Sequence, residues 1–443
     1  MDVKPIDLKT AARVSASVKD TSASGAHRNY WSSVHRLVAS GNTLKLLTND
    51  GAIWLEWNIP VDGQVNENWD IIVPAAQFNE MCTKSNEGGM YTVCRDSGTL
   101  HLSQGGQRNL RIREESPQTY QEPVAGENAR SWRVAAEPLA KCLKFVGPFI
   151  DATNPTPTKS VATLFQTGRM IGGSPKKMTV VDGLSCENVI SFKQKTAKAV
   201  SDFLRHLTDE VEITVDSLHY TFKCPHHGHK LIISGENVVF PDVIQRLLAV
   251  PTSEKLRIDN KSLTSSVEIL GALLPAEADR LNIELKGVGE HASIRLSTIE
   301  DAQHSSNDEF SVIRTLYQRS TSLTELTTWE PTPEEPEPRT TLIAVNCRNL
   351  LEVLRQMEGT TLTVNYYQRE KMLYIEDERV NDSDLKKSVI LTVQNLTGLT
   401  QEQQAALLAA TATPAATATP AEPQPVQLTT PVESPQLAVA TAD

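Results

Sequence analysis

The sequence has no apolar run long enough to cross a bilayer, and its opening residues, MDVKPIDLKT, lack the charged-then-apolar pattern of a signal peptide. Neither secretion nor a membrane partner is expected. Cysteine is sparse: Cys82, Cys94, Cys142, Cys186, Cys224 and Cys347 are scattered without CxxC spacing. Most lie in apolar-patterned segments, so they read as reduced residues of a cytosolic protein rather than as a disulfide framework. No Gly-rich loop ends in Lys-Ser or Lys-Thr, and no nucleophile elbow is present, so neither an ATPase nor a serine hydrolase is supported. Positive charge is also short, with 43 Lys and Arg against 54 Asp and Glu, a net charge of −11. That argues against a nucleic-acid binder with a basic surface all round, although cations gathered on one surface remain compatible with it.

What is present is ordinary in bulk and unusual in arrangement. The 443 residues, 39% hydrophobic and 22% charged, exceed one core and suggest roughly two to four soluble domains. One pattern then recurs: an apolar-faced helix followed by three short strands. The first copy reads VPAAQFNEMCTK, MYTVCRD, TLHLSQ and QRNLRIR (73–113). The second reads KTAKAVSDFLRHL, VEITVDS, HYTFKC and HKLIIS (195–234). The third reads VNCRNLLEVLRQM, TLTVNYY, MLYIED and KSVILTV (345–393). Phe78, Met81 and Cys82 correspond to Val200, Phe203 and Leu204, and these to Leu350, Val353 and Leu354. Each trio has the i, i+3, i+4 spacing of one helix face. Recurrence of such a unit predicts a quasi-symmetric object, of the kind that surrounds something.

A partner half precedes each copy, again a helix and then strands. The helices are IDLKTAARVSASVKD (6–20), EPLAKCLKFV (137–146) and NKSLTSSVEILGALL (260–274). The strands alternate apolar and polar, as in sheets with one buried face. Six half-units pair into three domains near 1–123, 124–252 and 253–397, an α+β organisation with two helices on antiparallel sheets in each. The Pro/Glu run at 330–339 (EPTPEEPEPR) reads as a solvated loop within the third domain. From about 398 to 443 the chain is rich in Ala, Thr, Pro and Gln, with four acids and no Lys or Arg after 400, and reads as a disordered tail.

The polar faces of these helices carry cations. Lys9 and Arg13 oppose Leu8, Ala11, Val14 and Val18. Lys141 and Lys144 oppose Leu139, Leu143 and Val146. Lys195, Lys198 and Arg205 oppose Val200, Phe203, Leu204 and Leu207, and Arg348 and Arg355 oppose Leu350, Leu354 and Met357. Lys84 and Lys261 are the weaker contributions, and Glu268 also points outward. Exposed helix faces often bear Lys and Arg for solubility alone. Their recurrence between copies favours a single surface that neutralises phosphates, an attraction that releases counterions and reads no sequence. No aromatic residues interleave with them, so stacking on bases is not implied.

Other constellations carry less. Cys224-Pro-His226-His227-Gly-His229 resembles a metal cluster, but zinc sites usually draw ligands from two separated segments, and a polar hairpin tip is the preferred reading. No metal, cofactor or catalytic residue is expected. Asp182-Gly183 reads first as a turn.

In order, these segments resemble the bacterial sliding clamp, the beta subunit of DNA polymerase III, from residue 1 to about 397. WSSVHRLVASGNTLKLLTNDG and IIVPAAQFNEM are similar to the family's first-domain strands and its Val-Pro-Ala helix start. TVVDGLS is similar to the Ala-Thr-Asp-Gly-His-Arg-Leu strand end, VVFPDVIQRLL to the Phe-Pro-Asp-Tyr segment, and NCRNLLEVLRQMEG with MLYIED to the last helix and its Ile-Glu-Asp strand. The resemblance implies a DNA-clamp fold in which three similar domains form half of a ring. Two chains would join head to tail, with helices inside and sheets outside. Duplex DNA would thread the hole, and DNA polymerase, clamp loader and other clamp-binding-motif proteins would dock on one face. It implies a non-catalytic processivity factor of the cytoplasm, associated with the nucleoid.

The resemblance also implies sites. Leu273 and Leu274 fall near the apolar pair used at the family's subunit contact, though a helix-ending core pair fits them equally. The partner-peptide pocket would include Val181, Gly183, Leu184, Pro241, Arg246, Leu247, Leu391, Thr392 and Val393. The family's His-Arg is here Leu184-Ser185, and its Met-Pro-Met-Arg-Leu is Leu-Thr-Val-Gln-Asn, which implies a changed peptide preference. The chain also continues past that point, and Gln436-Leu437-Ala438-Val439 is faintly similar to the Gln-Leu-x-Leu peptides that dock on clamps. The alternative function is a clamp-fold interaction or decoy protein that binds replication partners without encircling DNA.

Overall fold

The computed structural model describes residues 1–18, 30–63, 67–84, 88–104, 108–115, 122–174, 176–240, 250–274, 279–298, 306–319, 326–329, 340–378, 385–397 and 403. The Pro/Glu run 330–339 and the 436–439 segment lie outside these residues. Met1–Thr397 is one compact unit, and Gly398–Asp443 is a second in which only Gln403 is described.

The chain opens with β1 (Asp2–Val3), α1 (Pro5–Val18), β2 (Val34–Ser40), β3 (Thr43–Asn49), β4 (Ile53–Pro60), β5 (Trp69–Pro74), α2 (Ala75–Thr83), β6 (Tyr91–Asp96), β7 (Thr99–Gln104) and β8 (Arg108–Arg113). It continues through β9 (Arg130–Ala135), α3 (Ala136–Val146), β10 (Ala162–Leu164), β11 (Met170–Gly173), β12 (Lys177–Asp182), β13 (Ile190–Phe192), α4 (Gln194–Leu204), β14 (Glu210–Val215), β15 (His219–Lys223) and β16 (Lys230–Ser234). Then come β17 (Glu254–Asp259), α5 (Asn260–Leu273), β18 (Arg280–Lys286), β19 (Gly289–Thr298), β20 (Asn307–Arg319), β21 (Leu326–Trp329), β22 (Thr341–Asn346), α6 (Cys347–Leu354), β23 (Thr361–Tyr367), β24 (Met372–Glu378), β25 (Lys386–Thr392) and β26 (Gln394–Asn395).

The helices form because their apolar residues recur at helical spacing, and they pack in pairs, α1 with α2, α3 with α4 and α5 with α6, with α1 also touching α4. Val200, Phe203 and Leu204 of α4 have no exposure, and Leu350, Val353 and Leu354 of α6 at most 2%. Phe78 and Cys82 of α2 are equally buried, and Met81 is half-buried. Asp259 caps α5 by accepting from the Ser262 N–H at 2.7 Å, and Asn346 caps α6 by accepting from the Asn349 N–H at 2.8 Å. That cap starts α6 two residues later than the periodicity of 345–357 predicts, because Val345 is still in β22.

All strand pairs are antiparallel, and three sheets result. One runs β1-β6-β7-β8. A second, eight-stranded, runs β5-β2-β3-β4-β16-β15-β14-β9. The third, fourteen-stranded, runs β13-β10-β11-β12-β25-β24-β23-β17-β20-β19-β18-β22-β26, with β21 beside β20. Two ladders therefore join segments far apart in sequence. β4 meets β16 from Ile53↔Ile233 to Glu56↔Lys230, and β12 meets β25 from Lys177↔Leu391 to Asp182↔Lys386.

Side chains brace both ladders. Beside the first, His229 stacks on Trp57, and the turn between β15 and β16 reaches β4 through Asn58, whose Nδ2 donates to the His227 carbonyl at 2.9 Å. Gly228 in that turn has φ +65°, and a Cβ there would lie 2.7 Å from Asn58 Nδ2, so glycine is favoured. The Cys224–His229 cluster is thus the tip of a hairpin docked on β4. Beside the second ladder, Lys177 pairs with Glu352, and the buried Lys387 lies over the Phe145 ring at 5.4 Å and pairs with Glu358 at 3.0 Å. Among the described residues no helix is long and apolar enough to cross a membrane.

Candidate nucleic-acid interface and partner groove

Ten of the eleven cations singled out in the sequence are exposed, namely Arg13, Lys84, Lys141, Lys144, Lys195, Lys198, Arg205, Lys261, Arg348 and Arg355, and Lys9 is half-exposed. Helix formation explains this: each sits on the face opposite the buried stripe of its helix. Their local charge balance differs, which the sequence does not reveal. Lys84 pairs with Glu80 at 2.5 Å and Lys141 with Glu137 at 2.8 Å, both one turn away on the surface, where such pairs contribute little. Lys195 is held by Asp50, whose side chain is 1% exposed in the turn before β4. It therefore helps fasten α4 to the β3–β4 turn.

Arg205 follows the last residue of α4, where a cation suits the helix dipole. It pairs with Asp202 at 3.2 Å, and its Nε donates to His206 Nε2 at 3.3 Å. His206 also feels Arg13 of α1. Burial first, then Arg205, push the His206 pKa below its usual value, against an opposing pull from Asp202 and with the weakest contribution from Arg13. Arg13 and Arg205 thus belong to helices far apart in sequence that pack against each other.

On the last helix pair, Arg355 donates through Nε and Nη2 to the same oxygen of Glu268, at 3.1 and 3.0 Å. Arg348, Arg355, Glu268 and Asp279 line a cavity of about 280 Å³ between α5 and α6, together with Leu274 and Leu351. Leu274 is half-buried and packs on the core, whereas Leu273 is 54% exposed beside Ile269 at 59%. The two leucines therefore have different environments: one belongs largely to the interior and the other projects outward.

The groove residues divide. Val181 and Leu391 are 0% and 1% exposed, inside the sheet's packed face, and present no surface to a peptide. Gly183 adopts φ +103°, Leu184 is half-exposed, Thr392 is exposed, and Val393 is 6% exposed. The Val181–Leu184 and Leu391–Val393 segments are not brought side by side, because Lys177 faces Leu391 while Val181 faces Lys387, at opposite ends of one ladder. Pro241, Arg246 and Leu247 lie outside the described residues.

A second apolar cluster occupies the other face of this ladder, where Val161, Ile171, Val180, Phe240, Tyr374 and Ile390 meet, with Met178 and Phe165 against them. The Phe240 N–H donates to Thr163 Oγ1 at 2.8 Å, anchoring the backbone that brings its buried ring to this cluster. The signal was available in TVV and VILTV, runs apolar on both faces and so expected to be covered on both.

No family model matches the sequence, and no curated protein matches it. Solved structures do. The DNA polymerase III beta subunit of Thermotoga maritima is similar with a TM-score of 0.69 at 14% identity, over 88% of this chain and 98% of that one. The DNA polymerase III subunit beta of Pseudomonas aeruginosa gives 0.67 at 13% identity, over 89% and 99%. The Helicobacter pylori beta clamp in complex with diflunisal gives 0.65 at 14%, over 90% and 99%. This chain has the fold of those clamps.

Proposed function

We propose, from the fold this chain shares with bacterial DNA polymerase III beta subunits, that it is a sliding-clamp processivity factor of the cytoplasm. Two chains join head to tail around duplex DNA, and the ring tethers a polymerase and other partners without reading sequence and without catalysis. Three modules, near 1–123, 124–252 and 253–397, make up each half.

The observation that carries this reading is how strand edges are matched. β4, the third strand after α1, pairs with β16, the last strand after α4. β12, the third strand after α3, pairs with β25, the third after α6. The same rule assigns β20, the third strand after α5, to β8, the third after α2. Among the described residues β8 pairs only with β7, and the edge of β20 over Asn307–Val312 opposite β19 has no partner. Unpaired edges are templates for another chain. Their charges are opposite: β8 reads RNLRIR, and β20 begins NDEFSV. A second chain placed head to tail satisfies both edges, with exposed Ile269 and Leu273 beside the contact.

Partners dock, on this reading, where β12 meets β25, at the end of the ladder where Gly183 and Leu184 are accessible, with the exposed Thr392 at its other end. The departures of this surface from the family pattern support a peptide preference of its own.

Solution mass tests the ring. Light scattering is expected to give twice the 48.7 kDa of one chain at low salt. A monomer at every concentration would overturn the ring and leave the decoy reading.

A further inference from the structure

The cations of the helix surface are not distributed evenly once their partners are counted. α1 packs against α4, and Arg13 of α1 joins Arg205 in acting on His206, so cations of two sequence-distant helices lie on neighbouring elements. Lys198 stands two turns before Arg205 and therefore on the same face of α4. Among the described residues no carboxylate lies within 4.0 Å of Arg13, Lys144 or Lys198, and only Asp202 answers Arg205. At this junction three cations, Arg13, Lys198 and Arg205, face one carboxylate. On α5 and α6 the balance is different. Arg348 and Arg355 share their cavity with Glu268 and Asp279, two cations to two carboxylates, and Glu268 takes both donors of Arg355. A phosphate arriving there must displace Glu268 or sit beside it, which removes most of the gain from counterion release.

We propose that the duplex backbone is gripped asymmetrically, at the junction of α1 with α4 by Arg13, Lys198 and Arg205, while α5 and α6 form a nearly neutral section of the same surface. The inference rests on the clamp reading. It deepens that reading by naming which part of the helix surface carries the electrostatic work. Each chain then has one strong and one weak contact patch, so the duplex leans toward the strong one.

Two double variants of the full chain separate the patches, with anisotropy of a fluorescein-labelled duplex followed over a sodium chloride series. Arg13→Gln with Lys198→Gln is expected to weaken binding about 10-fold or more at low salt. It should reduce the slope of log affinity against log salt by about 2, the loss of two phosphate contacts. Arg348→Gln with Arg355→Gln is expected to change affinity less than about 2-fold, with the slope unchanged. All four residues are exposed, so folding is expected to survive, and thermal melting checks it. Equal losses from the two variants, or a larger loss from the second, would overturn the asymmetry while leaving the clamp reading in place. Absence of duplex binding by the unaltered chain would overturn both.

Discussion

The His229 imidazole lies flat on the Trp57 indole, with ring centres 3.8 Å apart and planes 6° from parallel, and its Nδ1 accepts the Asn58 backbone N–H at 3.1 Å. The two residues come from β4 and from the residue just before β16, strands that otherwise join by four residue pairs. Accepting that N–H requires an unprotonated Nδ1, so the contact depends on a neutral ring.

Acid is therefore expected to loosen this junction. Burial, with a smaller contribution from neighbouring His227, lowers the His229 pKa to about 4 from its usual 6.5. The unfolded chain then binds the proton that the folded chain refuses. The stability contributed is fully present above about pH 6.5 and is lost as pH falls toward 4, amounting to roughly 3 kcal/mol. Urea unfolding of the chain and of His229→Phe, compared at pH 7 and pH 4.5, isolates this term from the titration of carboxylates. The gap between the two proteins should narrow in acid, and a constant gap would count against the assignment.

Arg314 of β20 is expected to be the most damaging single charge to remove. It is fully buried, pairs with Glu254 at 3.0 Å, and donates to the Leu285 and Gly287 carbonyls and to Thr341 Oγ1. Arg314→Met leaves Glu254 as an uncompensated buried charge and should cost about 3–5 kcal/mol in denaturant unfolding. Adding Glu254→Gln should recover part of that loss, because the stranded charge is gone.

Helix positions that correspond between copies should behave alike. Leu204→Ala and Leu354→Ala should each cost about 2–5 kcal/mol, since both side chains are at most 1% exposed. Lys198→Ala, on the opposite face of α4, should stay within about 0.5 kcal/mol of the parent. Differential unfolding of the three variants checks the burial pattern directly.

The matched strand edges predict a charge swap. Arg111 of β8 and Glu309 of β20 are both exposed, and Glu309 accepts from Ser293 Oγ at 2.7 Å. Arg111→Glu alone should weaken self-association by like-charge contact. Arg111→Glu combined with Glu309→Arg should restore much of it, most clearly at low ionic strength. Sedimentation at several salt concentrations reports the outcome, and a double variant as weak as the single one would speak against this edge pairing.

Local periodicity made the elements legible. The i, i+3, i+4 trios located the buried faces of α2, α4 and α6, and alternation located most strands, because both depend on residues a few positions apart. The α+β organisation followed from three such units in one chain, and the clamp fold from the ordered resemblance to the bacterial beta subunit. The candidate site was legible only in part. That Lys195 and Arg355 sit on polar helix faces is a local fact. That Asp50 holds the first and Glu268 the second depends on chain separated by more than eighty residues in each case. The same holds for His229, whose apparent kinship with Cys224 and His227 concealed its packing on Trp57. Motif matching placed Val181 and Leu391 in a pocket, but a strand residue's face is set by its register. The β12–β25 pairing turns both into the interior.

Retention on circular DNA tests the central claim most directly. The chain, bound to a nicked circular duplex and passed through gel filtration at moderate salt, is expected to travel with the circle. It should be released when one restriction cut provides an end to slide from. Equal retention before and after cutting, or no retention on the circle, would contradict topological encirclement.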